Sequence, residues 1–116
     1  MHGVAAVAAQ RFITVTCAQF SVDWKRAQLL GPKVGNTTKI AAIYAAANFW
    51  KHSEDNPSKL HSGTKRILEE VGIDFVKGDE TSYLVGNVFH RCRYTNLAAI
   101  IADLKIWTKL VIENAQ

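Results

Sequence analysis

Cysteine and proline are scarce in this chain, and glycine-rich phosphate loops and long apolar runs are missing from it altogether. The two cysteines, Cys17 and Cys92, stand far apart with no CxxC or Cys/His ligand spacing, which excludes a disulfide framework and a zinc module. Neither GxGxxG nor GxxxxGK[ST] occurs, so nucleotide-binding folds of those kinds lack support. No run of about 18 uncharged apolar residues is present, and no membrane span or membrane partner is expected. The N-terminus begins with small apolar residues, but no Lys or Arg precedes them and Arg11 interrupts them, so an export signal is not expected. A reducing cytoplasmic location is the resulting expectation.

What is there is an ordinary globular composition. The 116 residues suffice for one core but not two, and residues 1–116 are expected to form a single domain. Apolar residues make up 48% and charged residues 21%, without low-complexity tracts, so the chain should fold. The net charge of +4 is mild, and its cations are dispersed as Lys25-Arg26, Lys65-Arg66, and Arg91 with Arg93. Dispersion of this kind reads first as solvated helix faces, and second as a phosphate-binding surface.

Helical spacing dominates. From Val4 to Leu30 there is no Gly or Pro, and Val4, Val7, Ala8, Phe12, Val15, Ala18 and Val22 recur at intervals of three and four, predicting one long amphipathic helix. Gly31-Pro32 ends it, "GPKVGN" reads as a turn, and Asn36 or Thr37 is placed to cap the next helix. That helix is alanine-rich, "TKIAAIYAAANFWKHSED", and exits at Pro57. "TKRILEEV" predicts a short helix closed by Gly72, with Ile73 folding back on Leu68. Residues 74–90 fit a helix from Glu80 to Arg91 capped by Asp79, with a short hairpin around Lys77-Gly78 as the alternative. The last helix, capped by Thr95 or Asn96, carries Leu97, Ile100, Ile101, Leu104, Trp107, Leu110 and Val111. The sum is an all-α bundle of four to five helices.

The residue types that could carry chemistry gather around "ANFWKHSED" and "HRCR". His52 could act as an acid or base at a ribose hydroxyl, while Lys51, Arg91 or Arg93 offsets charge on phosphate. Asn48 stands one turn before His52, where an amide can orient an imidazole, and His90 and Asp55 are the remaining polar candidates. The plain alternative is that Lys51 and His52 answer the negative end of their helix. No metal site is expected, because His52 and Glu54 lack the spacing of two ligands on one helical face, and His52 and Asp55 have it only if the helix continues that far. No cofactor is expected either.

"NFWKHSED" resembles the N-[FY]-x-KH-x-[DE]-[DE] stretch of small uncharacterised bacterial all-helical proteins, and more loosely the polar motif of HEPN domains. That resemblance implies a helical bundle that dimerises and, in many members, cleaves RNA. The HEPN pattern has an arginine four to six positions before its histidine, whereas Ala46 to Lys51 include none. The expectation is therefore a binding or interaction module acting as a homodimer, rather than a demonstrable reaction. The alanine-rich helix and the first helix would supply its interface, with Trp24 as an anchor. One alternative is a HEPN-like ribonuclease centred on His52 and acting on RNA. The other is a binder of a small apolar ligand, with Tyr44, Phe49, Trp50, Phe89, Tyr94 and Trp107 lining its pocket.

Overall fold

Alanine decides the centre of the molecule. In a computed structural model describing residues 2–52, 62–75 and 83–115, the alanine-rich segment forms a helix that packs against four others. The described elements are α1 (His2–Gln19), α2 (Trp24–Ala27), β1 (Lys33–Val34), β2 (Thr37–Thr38), α3 (Lys39–His52), α4 (Ser62–Val71), α5 (Leu84–Arg91) and α6 (Leu97–Ala115). The fold is all-α, with one two-stranded antiparallel ribbon pairing Lys33 with Thr38 and Val34 with Thr37. α3 buries Ile40, Ala41, Ala42, Ile43, Ala45, Ala46 and Ala47, and contacts α1, α4, α5 and α6. Methyl side chains leave little between the backbones, so several helices can approach this one closely.

α1 runs antiparallel to α3. Gly3 meets Trp50, and the Gln10 amide donates to the Tyr44 carbonyl at 3.3 Å and to Asn48 Oδ1 at 2.7 Å. The face of α1 turned to the core is made of Gly3, Ala6, Ala9, Gln10, Ile13, Thr16 and Cys17. The larger apolar residues Val4, Phe12 and Val15 are 60%, 44% and 49% exposed. The alanine-rich helix is thus a core element, its small side chains taken up by packing inside the chain. Trp24 is half-buried and stacks on Tyr44 with ring centroids 4.3 Å apart, so the expected anchor is partly spent within the fold.

The single helix expected from Val4 to Leu30 is interrupted. α1 ends at Gln19, Ser21 takes a left-handed φ of 53°, and Asp23 starts α2 by accepting from the Lys25 amide at 3.2 Å. Local chemistry explains the break: the β-branched residues before it weaken the helix, and Asp is a strong N-cap. α4 and α5 end in the same backbone motif. In each, the residue after a left-handed one donates back across the last turn: Val22 to Cys17, Ile73 to Leu68, and Tyr94 to Phe89, at 2.9, 3.1 and 2.9 Å. The left-handed position is Ser21, Gly72 and Arg93 respectively. Glycine takes it without penalty, whereas a residue with a Cβ costs about 1–2 kcal/mol there.

The strand ribbon lies in the segment expected to be a plain turn. Its two-residue loop, Gly35-Asn36, rests on the end of α4, where the Asn36 amide donates to the Glu70 carbonyl at 2.9 Å. A Cβ on Gly35 would sit 2.4 Å from that same carbonyl oxygen. Neither Asn36 nor Thr37 caps α3. Thr38 does, accepting from the Ala41 amide at 3.1 Å while its hydroxyl donates to the Gln28 carbonyl. α5 confirms helix over 84–91, while Asp79, Glu80 and the Lys77-Gly78 pair lie outside the described residues. On α6, Asn96 provides the expected cap, accepting from the Ala99 amide at 3.0 Å. Ile100, Leu104, Trp107 and Val111 are buried there, and Leu97 and Ile101 are exposed. No described helix is long and apolar enough to cross a membrane.

Candidate functional site

The polar residues singled out above fall at different places in the bundle. Lys51 and His52 form the exposed last turn of α3, where positive charge is favoured by about 0.3–1 kcal/mol. Asn48 turns its amide oxygen to Gln10, joining α1 to α3. Trp50 lays its indole over Gly3 and stays 46% exposed. Asp55, together with Glu54 and His61, lies outside the described residues.

His90, Arg91 and Arg93, by contrast, are brought together. With Val34, Gly35, Val71 and Asn87 they line a cavity of about 710 Å³ between the β1–β2 turn, the end of α4 and the end of α5. The described residues lining it do not include Lys51 or His52. Arg91 lies against the backbone of Gly72, close enough that a Cβ there would be 2.8 Å from a guanidinium nitrogen. The role of Gly35 and Asn87 was not evident in the sequence, where neither belongs to a charged or aromatic cluster.

The aromatic residues are likewise divided. Phe89 and Tyr94 meet edge to face at 5.9 Å, and His2 approaches Phe89 in the same way at 5.4 Å. These three wall an apolar groove of about 430 Å³ with Val4, Ala5 and Ala8 of α1 and Leu97 and Ile100 of α6. Tyr44 and Trp24 border a smaller hollow of about 330 Å³ that also reaches Lys25, Asn48 and Arg66. Trp107 lines neither, being fully buried with its indole N–H donating to the Ala27 carbonyl at 2.9 Å.

Beside the groove, the Tyr94 hydroxyl donates to Asp103 Oδ2 at 2.8 Å, and Lys39 stands 3.7 Å from the same carboxylate oxygen. Burial raises the Tyr94 phenol, and the hydrogen bond to Asp103 and the charge of that carboxylate raise it further. Cys92 is fully buried and its thiol is pushed up to about 12, mainly by burial. That direction is opposite to the one a thiolate nucleophile requires. Cys17 is also raised, by burial and then by Asp23. Among the described residues no group of three His, Cys, Asp or Glu side chains could hold a metal ion.

Comparison with protein-family models, with curated proteins and with solved structures found no match for this chain.

Proposed function

We propose that this chain is a binding module that acts as a homodimer through the outer face of α1. One observation carries the reading: α1 buries its small residues against α3 and presents Val4, Ala8, Phe12 and Val15 outward. Those four follow one another at intervals of four, four and three, which aligns them along a single helical face. A monomer gains nothing from such an arrangement, since large aliphatic and aromatic side chains stabilise most when removed from water. The apolar surface continues onto α6, because Val4 and Ala8 share the groove with Leu97, and Ile101 follows Leu97 one turn later. Two copies related by a twofold axis would cover α1 with α1 and bring these residues into a common interface. A stable interface of standard size buries about 800 Å² per partner, which calls for both helices rather than α1 alone.

Sedimentation at micromolar concentration tests this. The expected mass is that of two chains, and a mass of one chain would refute the reading. The groove itself supports a second reading, a small apolar ligand seated against Phe89 and Tyr94. A thermal-shift series with aliphatic and aromatic ligands measures it, stabilisation being the supporting result.

A further inference from the structure

We propose that the cavity between the β1–β2 turn, α4 and α5 is a binding site for a small organic phosphate, with Arg93 holding the phosphoryl group. The site is separate from the outer face of α1, and its test does not depend on the dimer. At about 710 Å³ the cavity is of the size that small-molecule sites occupy. Its described lining contributes two guanidinium groups, one imidazole and one amide, and no carboxylate. Guanidinium is the side chain best matched to phosphate, through paired N–H donors in a fixed plane. Val34 and Val71 supply apolar wall beside these donors, which suits an ester carrying an organic group better than the bare ion.

The simplest alternative is that the cations merely answer the negative ends of α4 and α5. Arg91 fits that account, since it lies against Gly72 at the end of α4. Arg93 does not. The carbonyls of Leu68, Glu69 and Glu70 accept from Ile73, Gly72 and Asn36, and those of Val88, Phe89 and His90 accept from Cys92, Tyr94 and Arg93 backbone amides. Each of these six carbonyls therefore already has a backbone partner. Arg93 also occupies the left-handed position, with φ at 62°, that the same chain gives to glycine at the end of α4. Glycine at 93 would close α5 with less strain, as it would at Ser21 of α1, and the residue standing there instead places a guanidinium in the cavity lining. The cavity wall is firm as well, because Gly35 lets the β-turn sit directly on the α4 carbonyls.

The experiment uses the whole chain, with phenyl phosphate, a nucleoside monophosphate and inorganic phosphate compared at constant ionic strength by calorimetry and thermal shift. The expected result is saturable binding of at least one ester, tighter than inorganic phosphate. Arg93→Gly and Arg93→Asn, both suited to left-handed backbone, should weaken it about tenfold or more. Arg93→Gly should at the same time raise the melting temperature of the unliganded chain, which separates loss of a ligand contact from loss of fold. Several results would overturn the proposal: no binding of either ester at millimolar concentration, or unchanged affinity in both variants. Inorganic phosphate bound as tightly as the esters would overturn its organic part. Binding of RNA oligonucleotides that strengthens with length, without binding of phenyl phosphate, would overturn it in favour of a nucleic-acid surface.

Discussion

Gly3 lies directly beneath the indole of Trp50, so that a Cβ on residue 3 would stand 2.1 Å from the ring nitrogen. The first turn of α1 and the last full turn of α3 are joined there by a contact that admits no side chain. Gly3→Ala should destabilise the chain by about 1–2 kcal/mol through displacement of Trp50, despite the better helix propensity of alanine. In a Trp50→Ala background the same change should stabilise by about 0.5–1 kcal/mol. A double-mutant cycle by urea unfolding measures both, and equal effects in the two backgrounds would refute the contact.

Phe12 is 44% exposed, so its replacement should be felt between chains and not within one. On the proposed dimer, Phe12→Glu is expected to give single chains at micromolar concentration, while the stability of the single chain changes by no more than about 0.5 kcal/mol. Sedimentation and dilution-series unfolding read the two quantities apart.

Thr38 serves two elements at once, capping α3 through Ala41 and holding the end of α2 through the Gln28 carbonyl. It is 1% exposed, so neither partner has water to replace it. Thr38→Val, which keeps the shape, should cost about 2–3 kcal/mol, whereas Thr38→Ser should cost less than half as much. Chemical unfolding of the two variants checks the difference.

Trp107 anchors α6 to α2 by packing and by its N–H bond to Ala27. Replacing it with Phe removes the donor and leaves a void, for an expected loss of about 2–4 kcal/mol. Equilibrium unfolding of the variant measures it.

Cys92 implies a falling stability in alkali. Its thiol is pushed from the ordinary 9.0 up to about 12, so the folded chain keeps a proton that the unfolded chain releases. The associated stability is complete below pH 9 and is lost between pH 9 and 12, by at most about 1.4 kcal/mol per unit. Tyr94, also raised, acts in the same sense above pH 10. Urea unfolding from pH 7 to 11 should show the decline, and Cys92→Ala should lessen it. Below pH 9, thiol labelling of Cys92 should proceed only as fast as the chain opens.

Much of the bundle was legible locally. Gly72 and Ile73 close α4 as their residue types require, Asn96 caps α6, and the Ala-rich stretch is helical from Lys39 to His52. The α1–α2 break was missed because Asp23 competes as a cap within an otherwise unbroken apolar pattern, and Ser21 accepts a left-handed conformation that carries no strong signature. The basic cavity was legible only as a cluster of residue types. His90, Arg91 and Arg93 were visible in the sequence, but Gly35, Val71 and Asn87 join them through contacts distant along the chain.

The sequence by itself determined that the chain is helical and where the ends marked by Gly72 and Asn96 fall, since capping, glycine and periodicity act over a few residues. Only the tertiary structure decided which face of a helix is inside. Periodicity identifies Val4, Ala8, Phe12 and Val15 as an apolar stripe, yet α1 buries the opposite stripe of Gly3, Ala6, Ala9 and Ile13. The physical reason lies in α3: its alanine surface demands close approach, small residues satisfy that demand, and the larger side chains are left on the outside.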